Sequence, residues 1–140
     1  MWFLMIISYV LMFVSGLLLI LSGLQGHLLF DVLGRYHITF SIFVIIVYVF
    51  TETLILFFFI TLSKKIKEIM SKNSINDVEA NKFHNLRSKL FKYTSLNLLI
   101  IGSNFILGAG VHTLVIPLFI HTILFYLGLV HYFLLVKIQH

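Results

Sequence analysis

HITFSIFVIIVYVFTETLILFFFITLSKKIK, residues 37–67, decides the class of this chain. A run of roughly 25 residues, nearly all apolar, follows His37 and stops at Lys64, Lys65 and Lys67. About 20 apolar residues cross a bilayer as a helix. Glu52 sits in mid-run. A carboxylate there costs roughly 2.5–3.5 kcal/mol on insertion scales, so it must face a partner or a water-filled space rather than lipid. The lysines mark the cytoplasmic end of the span.

Three further runs flank this one. Residues 2–24 form the first. No lysine or arginine precedes it and no small-residue cleavage site follows, so a retained span is expected rather than a cleaved signal peptide. Ser8, Ser15 and Ser22 recur at heptad spacing beside Gly16 and Gly23, the pattern of a helix-packing face. Spans over 93–111 and 115–136 complete the set, with Pro117 suited to a first helical turn. The stretch QGHLLFDVLGRY (25–36) connects the first two spans, and its LLFDVL portion reads as a short interfacial turn of helix. Between residues 64 and 92 lies the one hydrophilic segment. Its two halves show helical spacing around SKNSIND (71–77), which reads as a turn. No long internal repeat is visible. The expected architecture is an all-α, integral membrane four-helix bundle in one domain, with both termini cytoplasmic and a basic cytoplasmic hairpin.

Composition agrees. The chain has 140 residues, 60% of them hydrophobic and only 11% charged, against about 25% charged in soluble domains. Cysteine is absent, which excludes disulfides, thiolate metal sites and a cysteine nucleophile. The net charge of +5 is a topology signal, not a nucleic-acid footprint, because eight of the ten basic residues lie within 64–92. No nucleophile with a base, phosphate loop or H-E-x-x-H motif is present.

The residues able to carry chemistry are histidines and a few polar groups inside the spans. At about 1.5 Å per residue, His37 and His112 fall at similar height near the outer face. His121 lies ~10 Å below that face, Glu52 ~22 Å below His37, and His131 ~15 Å beyond His121, so Glu52 and His131 come within reach in the inner half. Imidazoles on facing helices hold haem b in membrane bundles. His37 with His112 or His121 are the axial candidates, and His131 is the candidate for an inner site. A metal site of His37, His112 and His121 is the alternative, since imidazole suits zinc, copper and iron alike. Glu52, Asn97 and Asn104 would form a proton or polar network, and Asn104 or Glu52 would serve a quinone. Each of these residues also has a purely structural reading, as an interfacial histidine or as hydrogen-bonding glue between helices.

Gly26-His27, Tyr36-His37, FFFITLSKKIKE (57–68), Gly110-Val111-His112-Thr113 and His121 together resemble small four-span bacterial membrane proteins of uncharacterised function. In these a phenylalanine-rich motif closes span two and an HT pair precedes the last span. Thr61 and Ser63 replace glycines of that pattern, and Glu52 replaces a histidine, which removes a usual haem ligand at that height. The resemblance implies no activity. The overall plan is similar in architecture to the haem- and quinone-binding anchors of succinate dehydrogenase-like complexes. The expected function is therefore a small subunit of a respiratory or other redox complex in the bacterial inner membrane, working with partner subunits or as a homo-oligomer. It would bind haem b or a metal, and a quinone, and serve electron transport rather than act as an enzyme alone. The alternatives are a structural or assembly subunit and a proton-coupled transporter built around Glu52.

Overall fold

A computed structural model describes residues 2–72 and 77–139. The chain forms four helices: α1 (Trp2–Leu28), α2 (His37–Lys72), α3 (Asp77–His112) and α4 (Leu118–Gln139). All four are long and apolar enough to cross a membrane. Between 17 and 28% of each apolar window is buried inside the bundle. The rest, including Phe13, Phe43, Phe57, Leu99 and Phe133, faces outward. A soluble monomer rarely leaves more than a few hundred Å² of contiguous apolar surface bare. The chain is an integral membrane protein whose solvent is lipid.

Each helix packs on the next, and α4 returns to α1. Cross-contacts fix the directions. Ser22 meets Ser41, Tyr48 meets Asn97, and Asn97 meets His131. Consecutive helices are thus antiparallel, in an up-down-up-down bundle. The start of α1, the end of α4 and the lysine-bearing ends of α2 and α3 share one end of the bundle. The 29–36 and 113–117 connections share the other.

The helices α2 and α3 have 36 residues each, about 54 Å of helix against a hydrocarbon core of about 30 Å. They run past the apolar layer and carry exposed Lys64, Lys65, Lys67, Lys82, Arg87, Lys89 and Lys92 on the projecting part. The helical spacing expected there is present. The centre of the expected turn, residues 73–76, lies outside the described residues.

The connection after α1 differs from expectation. LLFDVL makes no helical turn. Leu29, at φ 54°, ends α1 with its N–H on the Gln25 carbonyl at 3.0 Å. Val32 and Arg35 then exchange backbone hydrogen bonds of 3.3 and 3.0 Å around Leu33 and Gly34, at φ 52° and 67°. Two left-handed residues in succession make a type I′ hairpin turn, which no helix can pass through. Gln25 Nε2 clamps this loop by donating to the Arg35 carbonyl at 2.6 Å. At the other connection Leu114 is left-handed, and the Gly110 carbonyl accepts from the N–H groups of Val115 and Ile116 at 3.0 and 3.1 Å. Pro117 stands just before α4, and its carbonyl takes the Ile120 N–H at 3.1 Å.

Matching contacts also relate the two halves of the fold. Ser15 of α1 bonds Tyr132 of α4, and Asn97 of α3 bonds Tyr48 of α2. Gly26 of α1 packs on His37 of α2, and Gly108 of α3 packs on His121 of α4. Ser15, Ser22 and Gly26 have the same spacing as Asn97, Asn104 and Gly108. The His37-to-Tyr48 interval likewise equals that from His121 to Tyr132. The α1–α2 and α3–α4 hairpins are related by a pseudo-twofold along the bundle axis. The equivalent Tyr48 and Tyr132 rings meet edge-to-face across it at 6.0 Å.

The hairpin turn gives a direct check. Gly34→Val forces a branched side chain into a left-handed position and should destabilise the bundle by roughly 1–2 kcal/mol. Leu33→Gly should raise the thermal midpoint. Both are read by thermal unfolding in detergent.

Candidate functional site

Between the ends of the helices opposite the lysines lies a cavity of about 460 Å³. Every helix contributes a histidine to its wall: His27 from α1, His37 from α2, His112 from α3 and His121 from α4. The fold thus brings His37, His112 and His121 to one cavity, with His121 nearer the helix ends than its expected depth because α4 starts at Leu118. It adds His27, which was not among the ligand candidates read from the sequence. It sets His131 apart, deeper in the bundle.

His37 and His121 are the half-buried pair, whereas His27 and His112 are exposed at the rim. His27, His37 and His121 lie within electrostatic reach of one another. The two half-buried rings are held alike. His121 Nδ1 lies 3.1 Å from the Asn104 carbonyl. A carbonyl only accepts, so Nδ1 carries the proton and Nε2 keeps its lone pair. His37 sits within reach of the Ser22 backbone, and its Nδ1 is 3.4 Å from Ser41 Oγ, which in turn is 3.0 Å from Ser22 Oγ. An imidazole oriented by one nitrogen and left with a lone pair on the other is the arrangement of a metal or haem ligand. A Cβ on Gly26 would lie 3.1 Å from the His37 ring, and one on Gly108 would lie 3.0 Å from the His121 ring. Both positions are glycine because the rings occupy that space. Asn104 also lines the cavity, and its buried Oδ1 has no hydrogen-bond partner. Among the described residues, no group of three or more His, Cys, Asp or Glu is placed to hold a bare metal ion.

Below the cavity the core is apolar: Leu19, Phe40, Val44 and Ile101 pack around the two tyrosines. Tyr132 donates to the Met12 carbonyl at 2.6 Å and lies 2.9 Å from Ser15 Oγ. Tyr48 donates to Asn97 Oδ1. The Asn97 amide reaches the Gly128 carbonyl and His131 Nδ1, both at 3.1 Å. His131 also stacks on Tyr93 at 5.4 Å.

Glu52 is fully buried, nearer the lysine end. It accepts a hydrogen bond of 3.3 Å from Gln139 Nε2, while the bond of His131 goes to Asn97. The two residues expected to meet thus find separate partners. Asn97 and Asn104, seven residues apart on α3, serve different places: Asn97 joins the tyrosine layer, and the Asn104 carbonyl holds His121. Sequence reading passed over Tyr48, Tyr132 and Gln139. The signal for the tyrosines was their equal offset from His37 and His121.

Removing the Tyr48 hydroxyl leaves Asn97 Oδ1 buried without its donor, so Tyr48→Phe should cost about 1–2 kcal/mol. Tyr48→Phe with Asn97→Leu should recover part of that loss in a double-mutant cycle of thermal unfolding. In comparisons with family models, curated proteins and solved structures, nothing matches the chain, so its function has to be read from these residues alone.

Proposed function

We propose that the chain is a small electron-transfer subunit of a membrane redox complex that binds haem b between His37 and His121. One observation carries this reading. Two symmetry-related imidazoles on diagonal helices line a single cavity, each oriented by a neighbouring helix and each seated on a glycine.

Haem fits this donor set better than a bare ion does. A structural or catalytic metal ion needs three or four protein ligands. Haem iron takes four nitrogens from its macrocycle and asks the protein for one or two axial ligands, commonly histidine. The volume of about 460 Å³ falls in the range of cofactor pockets. His37 and His121 would hold the iron, and the carbonyls of Ser22 and Asn104 would fix their rings. The rim histidines, His27 and His112, line the same cavity at its exposed edge. His112 is kept as the third ligand of the alternative, a three-histidine metal centre. Haem b would supply reversible one-electron transfer, and its tuning would fall to the hydrogen bonds on the two imidazoles.

The setting follows from the charge pattern and the apolar exterior. The lysine end would lie in the cytoplasm of a bacterial inner membrane. The outward apolar faces leave room for partner subunits or a second copy. A structural or assembly role is the second reading. The Tyr48–Asn97 and Tyr132–Ser15 bonds favour it, because they tie helices together without needing any ligand.

An optical spectrum of the detergent-purified protein, expressed with ample haem, tests the proposal. Wild type should show a Soret band that both His37→Ala and His121→Ala lose, while His112→Ala keeps it. Bound metal without a Soret band, lost in His112→Ala as well, would move the reading to the three-histidine centre. A folded protein with neither would leave the structural role.

A further inference from the structure

Where α3 and α4 meet near the lysine-bearing end, three side chains stack. The Lys89 Nζ lies 5.9 Å from the centre of the Tyr93 ring. The Tyr93 ring lies 5.4 Å from that of His131, with 19° between their planes. Lys89 and Tyr93 are about one turn apart on α3, and His131 belongs to α4. Lys89 is exposed, and Tyr93 and His131 are half-buried. The stack therefore reaches the outer surface of the bundle, where lipid is the neighbour. No Asp or Glu occurs from residue 80 onward, and Lys82, Arg87, Lys89, Lys92 and Lys137 all lie there. This side of the lysine-bearing end thus has only positive formal charges.

Hydrogen bonds fix where His131 keeps its hydrogen. Asn97 Nδ2 donates to the Gly128 carbonyl at 3.1 Å. A carbonyl only accepts, so this contact decides which end of the amide is the nitrogen. The other Nδ2 hydrogen goes to His131 Nδ1, also at 3.1 Å. His131 Nδ1 therefore accepts and holds no hydrogen, which puts the ring hydrogen on Nε2. That N–H has no hydrogen-bond partner among the described residues. It is not one of the enclosed polar atoms that lack a partner, so it opens to the surface. A donor facing lipid has no water to satisfy it and needs an acceptor from the bilayer side.

From the lysine-bearing end inward, the order is cation, aromatic ring, N–H donor. A glycerophospholipid presents the complement in the same order: a phosphate, then ester carbonyls just beneath it. Leu96 and Leu127 are exposed about one turn nearer the membrane centre and leave an apolar path for an acyl chain. A quinone carbonyl would also accept from Nε2, but it would make no use of Lys89.

We infer that the α3–α4 surface binds one anionic glycerophospholipid, its phosphate paired with Lys89 and an ester carbonyl accepting from His131 Nε2. Tyr93, in contact with both side chains, holds the cation and the donor at a fixed spacing. The site is on the outside of the bundle and does not rest on haem being bound between His37 and His121.

Native mass spectrometry of the whole protein in detergent tests this inference. The probes are phosphatidylglycerol, phosphatidylcholine with the same acyl chains, and an ether-linked phosphatidylglycerol that lacks the ester carbonyls. Wild type should bind the first phosphatidylglycerol about tenfold more tightly than phosphatidylcholine, and about fivefold more tightly than the ether lipid, the size of one lost hydrogen bond. Lys89→Gln should bring the two headgroups within about twofold of each other. Lys64→Gln removes an equal charge from α2 and should leave the preference intact. His131→Phe keeps an aromatic ring and loses the donor, so it should bind ester and ether lipids alike. Lys89 is exposed, so its variant stays informative even if His131→Phe disturbs Asn97. Equal affinity for the two headgroups in wild type would overturn the inference, and His131-dependent binding of a decyl-chain benzoquinone in that case would name a quinone as the occupant. An equal loss in Lys64→Gln and Lys89→Gln would also overturn it, leaving only diffuse attraction to basic residues. So would equal affinity for ester and ether lipids in wild type, or a difference between them that survives His131→Phe.

Discussion

A polar side chain inside a bilayer has no water to return to, so each one must find its partner within the bundle. This constraint organises the interior. Tyr48 and Tyr132 lie near the axis with their rings in contact, and each sends its hydroxyl to a different neighbouring helix. The tyrosine layer therefore joins α2 to α3 and α4 to α1, while the short connections join the helices within each hairpin. Lipid is as apolar as leucine, so burying leucine gives these helices little reason to associate. Hydrogen bonds and close packing at small residues must do it instead. Glycines supply the second: the rings of Tyr132, His37 and His121 rest against Gly16, Gly26 and Gly108.

The same two devices create the histidine cavity. A glycine lies against each imidazole, and the backbone one turn earlier on the glycine's helix is within reach of its ring, at Asn104 for His121 and at Ser22 for His37. Because the arrangement occurs once in each hairpin, the two rings face a common space from opposite sides. Structural packing of the hairpins and preparation of a two-imidazole site are thus one set of contacts. That is why the haem reading and the scaffold reading share residues, and why only a ligand-dependent observable separates them.

The spans, their number and their direction were legible in the sequence because lipid imposes a coarse rule: long apolar runs with lysines at one end. The similar height of His37 and His112 was legible for a similar reason, since a helix converts residue number into depth, whereas His121 was read too deep because α4 starts at Leu118 rather than at 115. What was not legible depends on rotation and on pairing between distant segments. Nothing local announces that Glu52 meets Gln139 rather than His131, because many azimuths fit the same depth. The LLFDVL segment misled because its apolar pattern is compatible with a helical turn, whereas Leu33 and Gly34 reverse the chain as a left-handed pair. The pseudo-twofold was hidden for a different reason. Three of its matching pairs are identical, Gly26 and Gly108, His37 and His121, Tyr48 and Tyr132, but they are scattered among unlike residues, and serine in α1 is matched by asparagine in α3.

The apolar layer between the two ends bears on which functions suit the bundle. Leu19, Phe40, Val44 and Ile101 separate the histidine cavity from the tyrosines and from the Glu52–Gln139 pair. An ion or proton crossing the membrane needs water or polar groups in sequence along its path. This layer offers neither, and the tyrosine hydroxyls beneath it are committed to Asn97, Ser15 and the Met12 carbonyl. Continuous conduction along the axis would require the core to open. The two ends of the bundle are therefore separate regions: four histidines around one cavity, and a buried carboxyl–amide pair beyond the apolar core.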